Sequence, residues 1–312
     1  MRLLVTGGSG FIGSNFIRQL PPGTEVVNLD VMTYAGKSGI DLERPGYRLV
    51  QGDIGDPAAV RRAMADCDAV VHFAAESHVD RSIQDATSFL RTNVLGTYTL
   101  LEEARKQDCQ RFIMISTDEV YGQIASGSFR ETDVLNPRNP YSASKAAADR
   151  LAYSFFATYG LPVVITRSSN NFGPFQYPEK IIPLFITNLL RGKKVPVYGD
   201  GLQVRDWLYV LDNCEAIRRC LDMGKAGEIY NIGGGNEVTN LELTRLILRE
   251  MGKGEEMIEH VNDRPGHDRR YSLDSAKMHD LGWAPRHPFA QALSETIRWY
   301  TENQRWWKPL IS

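Results

Sequence analysis

The sequence predicts an α/β fold: a doubly wound parallel sheet with a smaller C-terminal α/β lobe. Three observations carry this. Short apolar, β-branched runs alternate with helical stretches through the first half of the chain. The first of them enters a glycine-rich turn directly. None of the runs alternates in polarity, as expected of parallel strands covered on both faces.

Residues 3–6 form the first run and end in glycines. Residues 26–29, closed by Asp30, form the next, followed by 47–51, 69–73, 111–116 and 161–166. Helices are expected at 14–19, 57–65, 87–106 and 142–159, so strand and helix alternate as in βαβ units. The rhythm changes near residue 170. Residues 170–176 are rich in Asn, Gly and Pro and read as a loop. A helix at 181–191 follows, then short elements at 195–198, 205–210, 212–222 and 229–232. Helices at 240–251 and 289–303 complete the chain.

Composition narrows the function classes. At roughly 150 residues per domain, 312 residues suit two lobes. With 42% hydrophobic and 24% charged residues, disorder and fibrous structure are excluded. A net charge of −2 supplies no field to hold a nucleic acid, so none is expected as a partner. No apolar run approaches the roughly 18 residues of a membrane span, and MRLLVTGG lacks the apolar region of a signal peptide. Cys67, Cys109, Cys214 and Cys220 show neither a C-x-x-C pair nor zinc spacing. Free thiols, no metal and a cytoplasmic address are therefore expected.

The turn after the first strand reads Gly7-Gly8-Ser9-Gly10-Phe11-Ile12-Gly13. Glycines there permit a tight turn and let the backbone approach a pyrophosphate. The following helix offers free N–H groups and the positive end of its dipole. A dinucleotide is the predicted ligand. Asp30 stands where a carboxylate would accept bonds from the adenosine ribose and repel a 2′-phosphate, favouring NAD over NADP. A solvated turn aspartate is the alternative. Asp53 and Ile54 could meet the adenine edge and face, though the dipeptide alone decides nothing.

Tyr141-Ser142-Ala143-Ser144-Lys145 places a tyrosine and a lysine on one helix face. The ammonium can lower the phenol's pKa and bond a nicotinamide ribose, and the tyrosinate can then take a hydroxyl proton. Thr117-Asp118-Glu119 follows the strand at 111–116. These residues could cap a helix with first-turn acids. They could equally be an acid and a base, one carboxyl protonated and the other ionised, able to expel water from adjacent carbons.

Together these residues resemble the extended short-chain dehydrogenase/reductases (NAD-dependent epimerases and dehydratases), and within them the dTDP-glucose 4,6-dehydratases. The likeness spans nearly the whole chain. Its words are LDVMTYAG at 29–36, FAAESHVDRS at 73–82, STDEVYG at 116–122 and YSASKA at 141–146. SNNFGPFQYPEKIIP at 169–183, VYGDGLQVRDWLYV at 197–210 and RPGHDRRY at 264–271 continue it. Related epimerases share the glycine turn and Tyr-x-x-x-Lys but usually lack the acid pair.

The resemblance implies a mechanism with no net redox. Tyr141, supported by Lys145 and Thr117, takes the O4 proton as hydride passes from C4 to NAD. Glu119 removes the C5 proton and Asp118 protonates the leaving C6 hydroxyl, after which hydride returns to C6. It also implies ligand contacts. Gly7, Gly10, Phe11, Ile12, Gly13, Asp30, Thr33, Asp53, Ile54, Phe73, Ala74, Ala75, Ser77, Thr92 and Asn171, with Tyr141 and Lys145, would hold NAD. Ser77, Thr117, Asn170, Lys180, Ile181, Pro196, Val197, Tyr198, Arg205, Asn240, Arg264 and His267 would hold the nucleotide sugar.

Arg205 and Arg264 suit bidentate bonding to a diphosphate, with surface salt bridges as the alternative. Residues 1–170 would be the NAD-binding Rossmann domain, with strands returning from the C-terminal half, and 171–312 mainly the sugar lobe. The helices at 87–106 and 142–159 would form a homodimer interface, or simply cover the sheet. The substrate base stays open among dTDP, UDP, CDP and GDP. A 4-epimerase, a decarboxylase and a non-catalytic NAD-binding scaffold are the other readings, and the short loop between Gly122 and Tyr141 leaves the substrate cover open. Trp299, Trp306 and Trp307 are expected to pack the last helix.

Overall fold

A computed structural model describes residues 1–34, 36, 42 and 44–311. The strands are β1 (Arg2–Thr6), β2 (Glu25–Asp30), β3 (Tyr47–Gln51), β4 (Ala69–His72), β5 (Arg111–Thr117), β6 (Val163–Ser168), β7 (Asn170–Phe172), β8 (Val195–Tyr198), β9 (Val204–Tyr209), β10 (Ile229–Ile232), β11 (Glu237–Thr239) and β12 (Ile258–Val261). The helices are α1 (Phe11–Gln19), α2 (Pro57–Met64), α3 (Val79–Gln84), α4 (Thr87–Phe89), α5 (Thr97–Lys106), α6 (Pro140–Tyr159), α7 (Ile181–Leu190), α8 (Val210–Met223), α9 (Asn240–Glu250), α10 (Ala276–Asp280), α11 (Phe289–Glu302) and α12 (Gln304–Trp307).

Seven parallel strands form the main sheet in the order β10-β6-β5-β4-β1-β2-β3. Leu3 of β1 sits between Val26 and Ala69. Leu3, Val5 and Val71 pack one face against Phe16, Ile17 and Ile217, while Leu4, Val27 and Val70 pack the other against Val60, Leu100 and Ala152. Burial on both faces explains the unbroken apolar runs. A third cluster joins Phe172, Phe185, Trp207, Leu243, Leu293 and Trp307. Trp307 is fully buried, its indole N–H donating to the Tyr300 carbonyl at 2.7 Å, and Trp299 meets Trp306 edge-on at 5.1 Å.

Helix ends follow local chemistry. Asp56 caps α2 through the Ala58 N–H, with Pro57 in the first turn. Asn139 and Ser142 form a capping box at α6, which closes on Gly160 in the left-handed region (φ 72°).

α3, α10, α12, β11 and β12 lie where no element was expected, and two expected stretches differ in kind. Residues 87–106 are not one regular helix, because a π-helical stretch, Leu90–Gly96, joins α4 to α5. That stretch carries Asn93, whose amide accepts from the Glu76 N–H (2.8 Å) and donates to the Glu76 carbonyl (3.0 Å) and Ser144 Oγ (2.9 Å). Such tertiary bonds select a wider turn that periodicity cannot show. Residues 170–176 are not wholly loop. Their first three residues form β7, which pairs in parallel with β9, and three residues are too few to display a period. Among the described residues, no helix is long and apolar enough to cross a membrane.

Candidate active site

The carboxyl ends of β1, β2, β4, β5 and β6 open onto the larger cavity, about 480 Å³. Gly7 turns the chain with φ 68°, and a Cβ there would lie 2.6 Å from the Ala74 backbone nitrogen. A Cβ on Gly13 would lie 2.4 Å from the Gly7 carbonyl oxygen. These two glycines are needed for close approach of backbone to backbone. Gly10 precedes α1, and no side chain caps that helix, so its first N–H groups are open to an anion.

Asp30 is buried. Its carboxylate accepts from the Ser9 N–H (3.0 Å) and the Met32 N–H (2.8 Å). Burial raises its pKa, and those hydrogen bonds work against the rise. Gly7, Gly10, Phe11, Ile12, Gly13, Asp30, Thr33, Asp53, Ile54, Phe73, Ala74, Ala75, Ser77, Thr92, Asn171, Tyr141 and Lys145 all line this cavity. Within the stretch 29–36, Ala35 lies outside the described residues.

Thr117 ends β5, and Asp118 and Glu119 begin a short 3₁₀ turn. Capping and chemistry coexist here. The Thr117 hydroxyl accepts from the Glu119 N–H at 3.3 Å and donates to Asp118 Oδ1 at 3.1 Å. Asp118 is 3% exposed, and its Oδ2 has no partner. Burial, then the neighbouring Glu119 carboxylate, holds its pKa well above the usual carboxylate range. Glu119 is half-buried, with Oε2 3.4 Å from the Asn139 amide. An acid pushed toward its protonated form thus sits beside a second, more accessible carboxyl.

Tyr141 and Lys145 stand one turn apart on α6. The expected pull of Lys145 on the phenol is not what governs it. Burial, then Glu119, pushes the Tyr141 pKa far up, and a hydrogen bond with Thr117 pulls it back. The Lys145 ammonium donates instead to the Ile115 carbonyl at 2.6 Å. Burial lowers its pKa to about 8, against the pull of Asp149.

A smaller cavity, about 200 Å³, adjoins the first, and Glu119, Asn170, Asn171 and Lys180 line both. Ile181, Pro196, Val197, Tyr198, Arg205, Asn240, Arg264 and His267 line the smaller one, whereas Ser77 and Thr117 line only the larger. Arg205 is buried. It donates to the Val204 and Asp268 carbonyls (2.8 and 2.9 Å) and lies 4.3 Å over the Tyr271 ring. These acceptors are uncharged. Arg264 pairs with Asp80 at 3.2 Å, so for it the salt-bridge alternative holds in this state. His267 bonds Asp263 at 2.6 Å, and burial lowers its pKa.

Both cavities present buried polar atoms without partners: Ser116 Oγ, Asp118 Oδ2, Asn170 Oδ1, Asn171 Oδ1, Gln176 Oε1, Trp207 Nε1 and Arg264 Nε. Leaving each unsatisfied costs about 1–3 kcal/mol, so the walls suit polar ligands rich in donors and acceptors. Sequence reasoning missed Tyr34, Glu76, His78, Asp80, Gln176, Glu179 and Trp207 as lining residues. All lie within the stretches quoted above. No local pattern marked them, because their placement depends on distant partners.

A doubly wound parallel sheet, a glycine turn at its first strand, a Tyr-x-x-x-Lys helix and an adjoining second cavity define an extended short-chain dehydrogenase/reductase. The GDP-mannose 4,6 dehydratase family pattern matches residues 4–296, and the chain belongs to that family. It is 53% identical to a dTDP-glucose 4,6-dehydratase of Streptomyces niveus, across 100% of this chain and 96% of that protein. Its structure resembles that of DesIV, a dTDP-glucose 4,6-dehydratase of Streptomyces venezuelae solved with NAD and TYD bound. The TM-score is 0.96 at 52% identity, covering 99% of this chain and 100% of that one. A UDP-glucose 4-epimerase of Thermus thermophilus, solved with NAD, matches at TM-score 0.90 and 31% identity, covering 97% of this chain and 100% of that one.

Proposed function

We propose that this chain is an NAD-dependent hydro-lyase that converts dTDP-glucose to dTDP-4-keto-6-deoxyglucose. The observation that carries the reading is the position of Glu119. It lines both cavities, beside Asp118, whose carboxyl burial pushes toward its protonated form, and in the same cleft as Tyr141 and Lys145. Epimerisation at C4 needs no such acid pair, and relatives about half identical across the whole chain are dTDP-glucose 4,6-dehydratases.

The larger cavity would hold NAD through the glycine turn, Asp30 and Lys145, and the smaller would hold the nucleotide sugar through Arg205, Arg264 and their neighbours. NAD supplies a hydride acceptor at C4 and a hydride donor at C6. Tyr141 would have to stand as the phenolate to accept the O4 proton, a form opposed by its burial and favoured by the Thr117 hydrogen bond and by the positive charge that NAD would bring. The resulting ketone acidifies C5, and Glu119 takes that proton. Asp118 gives its proton to the C6 hydroxyl, the C6–O bond breaks, and water leaves as the C5–C6 double bond forms. Glu119 then returns its proton to C5. Over the cycle Tyr141 gains a proton and Asp118 loses one, so one proton must pass back from the phenol to the carboxylate before the next turnover, and the Thr117 hydroxyl bonds both side chains.

Residues 1–170 would then be the cofactor domain, with β10 added at its edge, and 171–312 mainly the sugar lobe. Exposed Leu90, Leu95, Tyr98, Tyr153 and Tyr159 support a homodimer through the helices at 87–106 and 142–159. The free cysteines suit a cytoplasmic setting. The test is mass spectrometry of product from dTDP-glucose with catalytic NAD, run beside UDP-, CDP- and GDP-sugars. Loss of one water from dTDP-glucose without accumulating NADH is expected. Water loss only from another nucleotide would overturn the substrate, and none from any would overturn the reaction.

A further inference from the structure

The chemistry proposed above takes a hydride from a sugar and returns it to the same sugar. Cofactor that escaped between the two transfers would leave the ketone stranded and the cycle incomplete. A restraint on cofactor release would prevent that loss, and one group of side chains outside the glycine turn is built to supply it.

Tyr34 follows β2, Arg81 lies on α3, and Glu179 precedes α7. The Tyr34 hydroxyl donates to Glu179 Oε1 at 2.9 Å. Glu179 Oε2 lies 3.3 Å from Arg81 Nη2 and 3.6 Å from His78 Nε2. The Arg81 guanidinium stacks 4.0 Å over the Tyr34 ring, whose edge meets Tyr177 at 5.0 Å. The next residue, Lys180, donates to the Ser77 carbonyl at 2.9 Å. Three segments far apart in sequence are thus closed into a ring of contacts. Tyr34, Tyr177 and Glu179 line the larger cavity, and Glu179 also lines the smaller. Burial and the Glu179 charge push the Tyr34 phenol far up, so it remains a hydrogen-bond donor throughout the working pH range.

We propose that Glu179 is a cofactor-retaining residue: through Tyr34 and Arg81 it ties the two walls of the cofactor cavity together, and the tie must open for NAD to leave. The inference rests on the reading that this cavity holds NAD. Because Glu179 borders both cavities, an occupied sugar site lies against the same tie. The restraint therefore acts while the hydride is on loan.

The tie is tested by release kinetics. The NAD-loaded full chain is mixed with an excess of an unrelated NAD-specific alcohol dehydrogenase and its alcohol, so each released NAD is reported as NADH absorbance. A hydrogen bond to a charged group is worth about 1.5–3 kcal/mol, so Tyr34→Phe and Glu179→Gln should each speed release about tenfold or more. The double variant should release little faster than Glu179→Gln alone, because Tyr34→Phe then removes only a bond already weakened by loss of the charge. Tyr34→Phe keeps the ring between Arg81 and Tyr177, so it carries the test if Glu179→Gln folds poorly.

During turnover the variants should lose activity over successive cycles and regain it with added NAD, a response that mere scaffolding would not give. Unchanged release in folded variants overturns the tie, whatever the parent protein does with dTDP-glucose. A parent that binds NAD but eliminates no water overturns the reaction alone, since release rates are read without it.

Discussion

The larger cavity takes much of its wall from consecutive residues, such as 10–13, 52–54, 73–77 and 115–119, each at or just beyond a strand end. The smaller draws side chains from α3, β8, β9, α9 and the loop at 263–267. One wall follows the strand ends of a parallel sheet, and the other is assembled from side chains of separate elements. Arg264 leans on Asp80, His267 on Asp263, and Arg205 on Tyr271. Substitutions at the strand ends of the larger cavity disturb the sheet that positions them, whereas the smaller cavity can be changed one side chain at a time. Glu119 stands where the two meet.

The sharpest way to break this division is at the shared border. Glu119→Gln should lower water loss by about 10²–10⁴-fold, the range for a general base, while NAD binding stays nearly intact. Mass-spectrometric turnover and NAD titration on the same preparation check both halves, and full turnover would remove Glu119 from the base role. Next in size is the sugar side. Arg264→Ala should raise the KM for dTDP-glucose roughly ten- to hundredfold, as for loss of a charged hydrogen bond, and leave NAD affinity alone. A parallel loss of NAD affinity would show that the two sides are not separable.

On the cofactor side, Asp30→Ala should weaken NAD about tenfold and narrow its advantage over NADP. Competitive titration decides this, and an unchanged preference would sink the ribose assignment. The smallest effect is graded by pH. Burial holds Lys145 near 8, so its ammonium is present below that pH and lost above it. NAD affinity in the parent should therefore fall as pH rises through about 8. A flat profile by calorimetry would remove the Lys145 charge from cofactor binding.

Much of the fold was legible because parallel strands buried on both faces leave continuous apolar runs. β2 and β5, buried nearly throughout, fall on those runs, and β8 and β10 fall where short elements were expected. The glycine turn was legible for a different reason: Gly7 and Gly13 occupy positions where a Cβ would collide with backbone. The π-helical stretch at Leu90–Gly96 and the three-residue β7 were not, since Asn93 and β9 impose them from elsewhere in the fold. The proposed catalytic positions stood as words in the chain, but the surroundings of each group did not. Nothing in Tyr-x-x-x-Lys says that Lys145 turns to the Ile115 carbonyl.

By itself the sequence determined the α/β alternation, the glycine turn, the helix caps and the residue types available for acid–base chemistry, because each depends on neighbours within a few residues. Only the tertiary structure decided which carboxyl burial pushes toward its protonated form, which arginine is already paired, and how Tyr34, Arg81 and Glu179 meet. Burial and long-range pairing set those outcomes, and both come from residues far away along the chain.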